Sequence, residues 1–279
     1  ALTGFSATHG LQEDRLCTVL PRYDVTSRIL TLPSQDAKEA ANMVRLSAEE
    51  FVPYSADELI IDTCFLQLFP NGESLVLAAL AHRDMVNNHV ELLRRAGLEP
   101  ERILLSSACL ASAVAAFQEV SGDPVGIVNL ASGGLEIIVL AGGKMRYGRG
   151  IATVQDWAQS PDALNELGVE VRGTLSAYRR ESDDGAPVEK VYLCSEWLDT
   201  AAACESLAQE TGKECAPAAF ARQLVAKGGE HLSTLPLVSL GAALTAQDRA
   251  AVSINLLPES LSKVRAFQGA RKTFIKAAA

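Results

Sequence analysis

The residues with the clearest capacity for chemistry are Asn129-Leu130-Ala131-Ser132-Gly133-Gly134, an apolar strand running into a turn of small residues. Without side chains in the way, backbone N–H groups of such a turn can approach a phosphate oxygen closely. The competing reading is an ordinary tight turn, because Gly-rich turns occur in any sheet. The other candidates are weaker. Glu136 follows on the next strand among apolar neighbours, and a solvated strand face is preferred for it over a place in a cleft. His82 with Asp84, and His89 with Glu91, read as surface or packing residues. Ser106-Ser107 reads as a helix start rather than a nucleophile. Glu196 and Asp199 could form an acid pair, but nothing nearby in sequence supplies a base or a metal set. Asp183-Asp184 reads as a solvated loop. The six cysteines show no C-x-x-C spacing, and no histidine completes a zinc site, so no metal is expected and the thiols read as reduced.

The elements that must position the 129–134 turn follow from pattern. The run 125–150 reads as a meander of three strands, turning at Ala131–Gly134 and again at Ala141–Lys144. Before it, 16–98 reads as strand, strand, helix, strand, strand, helix. Leu16–Leu20 is apolar up to Pro21. Val25–Leu32 is the second strand, stopped at Pro33. Ser34 or Asp36 caps a helix with Ala37, Ala40, Ala41, Val44, Ala48 and Phe51 at helical spacing. Two strands, 59–68 and 74–81, are joined through Asn71-Gly72, and a helix from about Asp84 to Ala96 stops at Gly97. A short strand at 103–105 and a small-residue helix at 107–120 lead to the meander. A long helical stretch to Arg180, a strand at 188–194 and helices at 199–210 and 235–246 follow it. Residues 1–15 show no clear periodicity, and a trimmed or incomplete N-terminus is expected.

At 279 residues, 48% hydrophobic and 21% charged, the chain can bury a core. With 5% aromatics, that core must be largely aliphatic. A net charge of −9 argues against general nucleic-acid binding. The charge is uneven: from residue 261 onward there are five basic residues, Lys263, Arg265, Arg271, Lys272 and Lys276, and no acid. No apolar run reaches the ~20 residues of a membrane helix.

Taken in order, several stretches resemble the PilM family, actin-like proteins of type IV pilus assembly. Leu32-Pro33, with Ala40–Glu50 and Phe51-Val52-Pro53-Tyr54, is similar to that family's "LP … EA.. YIPFP" stretch. Val90–Pro100 is similar to its helix ending in "AGLEP". Ile127–Glu136 falls at its second phosphate motif, and Leu240-Gly241-Ala242-Ala243-Leu244 at its closing "GLAL" helix. GspL of type II secretion is the near relative. Ile254-Asn255-Leu256-Leu257-Pro258 resembles the beginning of PilN, the membrane partner whose short tail docks on PilM. Here it lies on the same chain, ahead of the basic run, as Lys and Arg flank the cytoplasmic end of a membrane helix.

The resemblance implies an α/β, actin-like (ASKHA) two-lobed fold with an inserted small α+β domain, its first strands absent or divergent. The implied organisation is an N-terminal remnant at 1–15, an inserted module at 16–100, a first-lobe segment at 101–123, a second lobe at 124–246 and a PilN-like juxtamembrane tail at 247–279. It also implies Mg-ATP chemistry, from which this sequence departs. The family's loop-two Asp is Asn129, which cannot bind Mg²⁺ as an anion. Its following Gly is Ala131. Its adenosine-side Gly-Gly is replaced by Ser195-Glu196-Trp197, and loop one has no counterpart in 1–15. Asn129, Ala131, Ser132, Gly133 and Gly134 are therefore expected to form a degenerate phosphate loop, with no catalytic residue, no cofactor, and ATP/Mg not favoured. Ile254–Pro258 is the expected docking segment, in cis or on a neighbouring copy, with the 16–98 module as its groove. The expected role is a scaffold at the cytoplasmic side of a bacterial inner membrane, reaching the membrane through its C-terminal segment. Its partners would be PilN/PilO-like or GspM-like proteins, a motor ATPase and further copies of itself. The alternatives are a working Mg-ATPase with a divergent site and a soluble adaptor unrelated to secretion.

Overall fold

Local chemistry builds most elements where the pattern puts them. The computed structural model describes residues 2–11, 16–117, 122–131, 133–153, 161–182, 186–195, 200–218, 237–258 and 260–261. The centre of the fold is the meander of β6 (Val125–Ala131), β7 (Gly134–Ala141) and β8 (Lys144–Ala152), paired antiparallel. Gly142 and Gly143 both have positive φ, 56° and 73°, the conformation a two-residue hairpin turn demands. β9 (Lys190–Ser195) pairs parallel with β6, and β10 (Glu214–Pro217) pairs parallel with β9. The order is β10-β9-β6-β7-β8. Parallel neighbours need crossovers, supplied here by α6 (Pro161–Glu181) and α7 (Thr200–Thr211).

Both faces of this sheet are covered. Leu167, Val171 and Tyr178 of α6, with Ala203, Cys204 and Leu207 of α7, pack on one side against Val128, Leu135, Ile137 and Val139. The other side presents Ile127, Ile138 and Leu140 to α5 (Ser106–Phe117). All eight residues of β7 are consequently buried.

A second sheet has three antiparallel strands in the order β2-β4-β3: β2 (Thr26–Leu32), β3 (Leu59–Leu68) and β4 (Ser74–His82). The short helices α2 (Ala37–Leu46) and α3 (Ala48–Phe51) cover one face through Val44, Ala48 and Phe51. Asp36 caps α2 by accepting the Lys38 and Glu39 N–H groups at 2.9 and 3.0 Å. The helix α4 (Arg83–Arg95) follows β4, and the His82 ring caps it by accepting the Asp84 N–H.

Two expectations need correction. Leu16–Leu20, as β1, pairs parallel with β5 (Pro100–Leu105) in a separate two-stranded sheet. The strand of 16–20 therefore lies outside the inserted sheet, and the module begins after it rather than at residue 16. Its apolar run is needed against α8 (Leu237–Ala246), where Cys17 and Val19 meet Val238 and Ala242. Residues 2–9 form a helix, α1 (Leu2–His9), despite weak periodicity, with Ser6 wholly buried. The described part of the 247–279 segment packs on the body of its own chain. Val252, Ile254, Leu256 and Leu257 lie in the main apolar core.

Candidate functional site

Residues 252–258 run extended along the edge of β5 that β1 leaves free. Asn255 bridges Leu104 in antiparallel register, and the Leu256 N–H donates to the Ile103 carbonyl at 2.7 Å. The Asn255 amide secures the register from both sides. Its Oδ1 accepts the Ile103 N–H and the Leu257 N–H, each at 3.1 Å, and the Asn255 backbone N–H donates to Asp62 Oδ2 at 2.7 Å. Upstream, Ser112 Oγ and Val252 exchange hydrogen bonds of 2.9 and 3.0 Å. This is strand addition to a sheet edge: backbone bonds set register while alternate side chains fill pockets. Ile254 and Leu256, 1% and 0% exposed, are the anchors. Pro258 is buried at the end of the segment.

The groove lies in a seam rather than on the inserted module alone. β3 contributes Asp62 and Cys64; β5 and α5 contribute Ile103, Leu104 and Ser112. Burial pushes the Asp62 carboxyl above its ordinary pKa, and the Asn255 and Thr63 N–H groups pull against that shift. Burial likewise raises the Cys64 thiol, opposed by the Ser253 N–H.

The 129–134 turn is packed against protein. A Cβ at Gly133 would stand 2.6 Å from the Tyr23 hydroxyl, and one at Gly134 would stand 2.5 Å from both the Tyr23 ring and the Ile151 carbonyl. The glycines thus admit Tyr23, from the single-turn helix Arg22–Asp24 that follows β1. Asn129 faces Glu136 across the ladder, and Ala131 pairs with Gly134. Ser132 lies outside the described residues, as do Glu196, Trp197, Asp199, Asp183, Asp184, Lys263, Arg265, Arg271, Lys272 and Lys276.

Glu136 is not on a solvated face. It is 2% exposed, because β7 is covered on both sides. Its Oε1 accepts the Arg22 N–H at 2.8 Å and the Ser106 hydroxyl. Burial raises its pKa, opposed by Ser106, the Arg22 N–H, the Arg22 charge and Asn129. Arg22 is itself buried, donating from Nη1 to the Val25 carbonyl at 2.6 Å and from Nη2 to the Ser27 carbonyl at 2.9 Å. Burial lowers its pKa to about 10. One carboxylate therefore ties the second-lobe sheet to the β1 connection and to the first turn of α5. The sequence signal was an acid inside an otherwise unbroken apolar strand.

Other candidates resolve simply. His89 Nε2 is hydrogen-bonded to Thr18 Oγ1 at 2.8 Å, and Ser106-Ser107 opens α5. Among the described residues, no three His, Cys, Asp or Glu side chains converge as a metal site, and no helix is long and apolar enough to cross a membrane. None of the six cysteines is in a disulfide.

No protein-family model and no curated protein matches the sequence. Solved structures do match in fold. A chain of the PilM-PilN type IV pilus biogenesis complex superposes with a TM-score of 0.73 at 19% identity, covering 88% of this chain and 84% of that one. The cytoplasmic domain of EpsL, an inner-membrane component of the type II secretion system of Vibrio cholerae, gives 0.52 at 12% identity, covering 93% and 83%. A Bacteroides thetaiotaomicron protein with an actin-like ATPase fold and unknown function gives 0.47 at 10% identity, covering 88% and 81%. The chain has an actin-like α/β fold, similar to that of the PilM-PilN assembly.

Proposed function

We propose that this chain is an actin-like scaffold of a bacterial type IV pilus or type II secretion assembly platform, working at the cytoplasmic side of the inner membrane without hydrolysing ATP. The observation that carries this reading is Ile254–Pro258, the PilN-like segment, held in a built groove on its own chain. Docking in cis fixes the point from which the following basic segment leaves the body, so force on a membrane partner would pass directly into β5. The Glu136 contacts would carry that load to the second lobe as one body. The partners in this reading are PilN/PilO-like or GspM-like membrane proteins, a motor ATPase and further copies of the chain.

Two features support the absence of catalysis. Asn129 offers an amide where Mg²⁺ or an attacking water would need a carboxylate. Tyr23 fills the space over Gly133 and Gly134 that a phosphate would need.

The test is purification of the chain, with its natural flanking sequence, from detergent-solubilised membranes of its own cells, together with calorimetric titration of the pure protein with Mg-ATP. The expected results are co-purification with pilus or secretion platform proteins and no micromolar Mg-ATP binding. Recovery without any platform protein would overturn the scaffold reading. Micromolar binding with turnover would overturn the non-catalytic one.

A further inference from the structure

Between the inserted module and the second lobe lies a cavity of 430 Å³. That volume falls in the range of small-molecule sites. Its main walls are two sheet edges facing each other, β2 of the three-stranded sheet and β8 of the five-stranded one, with the C-terminal turn of α6 closing one side. It is separate from the 131–134 turn. The cavity is lined by residues 145–148 of β8, whereas the turn pairs with Ala152, about 13 Å further along the strand from Gly148.

The lining combines cations with a flat apolar floor. Arg28 comes from β2 and Arg146 from β8, so each of the two sheets contributes one arginine to the lining. Arg146 is already held in place: its Nη2 donates to Gln67 Oε1 at 2.8 Å, which fixes the plane of the fork. Its Nε is buried and has no partner among the described residues. No ion pair joins Arg28 or Arg146 to a carboxylate among the described residues, and Glu181 is the single acid of the lining. Phe69, Leu75 and Tyr147 supply apolar surface. The Tyr147 phenol is raised chiefly by burial and next by Glu181, while Arg149, Arg28 and Arg180 pull it down.

Two arginines without a carboxylate partner among the described residues border one cavity over aromatic and aliphatic surface, and the buried Arg146 Nε goes unused. Like charges oppose each other. An anion resolves both. We propose that this cavity binds a small organic anion, a carboxylate or phosphate monoester on a flat apolar body. The anionic group sits between Arg28 and Arg146, and the body lies against Phe69, Leu75 and Tyr147. The proposal is independent of the scaffold reading, since it uses neither the tail groove nor the 129–134 turn.

Calorimetric titration of the full chain with 2-naphthoate, 1-naphthyl phosphate and the neutral 2-naphthalenemethanol tests it. At least one anion is expected to bind one-to-one, about tenfold or more tighter than the alcohol, given the strength of charged hydrogen bonds. Tighter binding of one anion than the other distinguishes carboxylate from phosphate monoester as the ligand chemistry. Arg28→Ala, at an exposed position, and Arg146→Gln should each weaken the anion about tenfold while leaving the alcohol unchanged, with circular dichroism confirming that both variants fold. Amide shifts at Tyr147 and Gly148 should report the bound probe. Equal affinity for anion and alcohol, binding indifferent to both arginine variants, or no anion binding at millimolar concentration would overturn the proposal.

Discussion

Leu256→Ala is the sharpest probe of the docked segment. Leu256 is wholly buried, and Leu→Ala in such sites costs about 2–5 kcal/mol, depending on how far the surroundings collapse. Collapse is restricted here. The neighbouring backbone is pinned by the Leu256 N–H to Ile103 bond and by Asn255, and Ile254 and Leu257 already fill the adjacent pockets. The expected cost is therefore above the low end of the range, about 3–4 kcal/mol. The polar contribution is smaller. Asn255→Ala strips an acceptor from two N–H groups, but the site is only half-buried and water can replace it, so about 1–2 kcal/mol is expected. The assay is native-state amide exchange at Ile103 and Leu256, whose N–H groups close the added strand. If the segment opens locally, 3–4 kcal/mol accelerates exchange by about 10²–10³-fold. Acceleration at Leu256 below about fivefold would refute the claim that this residue anchors the segment.

Gly134→Ala places a methyl against both Tyr23 and the Ile151 carbonyl, and should destabilise by about 1–3 kcal/mol in urea unfolding. Combining it with Tyr23→Ala should recover part of that loss, because one of the two clashes disappears. Gly241→Ala would drive a Cβ into the Cys109 backbone where α8 crosses α5, and a loss of about 3 kcal/mol or more, seen as a lowered urea midpoint, is expected. Glu136 has a raised pKa in the folded protein, so above the ordinary carboxyl range the unfolded chain gives up its proton first. Folding stability should then fall as pH rises through the folded-state pKa, and Glu136→Gln should flatten that dependence in urea midpoints measured from pH 4.5 to 8.

Most elements were legible in the sequence because the signals are local. Asp36 before Ala37–Leu46, Asn71-Gly72 between β3 and β4, and alternation in the meander are each decided within a few residues. What was not legible depends on distant partners. β1 looks like part of the module that follows it, and only its pairing with Pro100–Leu105 moves it out. Glu136 looks like a solvent-facing residue until both faces of β7 are seen to be covered, with Arg22 and Ser106 arriving from elsewhere. The 133–134 glycines suit a phosphate loop equally well on paper, and Tyr23, over a hundred positions earlier, decides what they admit. β10 is not legible because four residues carry too little periodicity.

Asn255, in the segment that completes the β1–β5 sheet, lies 152 positions beyond Ile103, whose N–H it accepts. At ordinary translation speed, a ribosome needs roughly 8–30 s to cover that distance. Through that interval the outer edge of β5 carries unused N–H and C=O groups beside Leu104 and Leu105, an open template for any extended chain. The inserted module can meanwhile fold and bring β1 to β5, shortening the loop that must close. The β1–β5 sheet is completed only after that intervening stretch has been made, so the nascent protein depends on a guarded β5 edge throughout the interval.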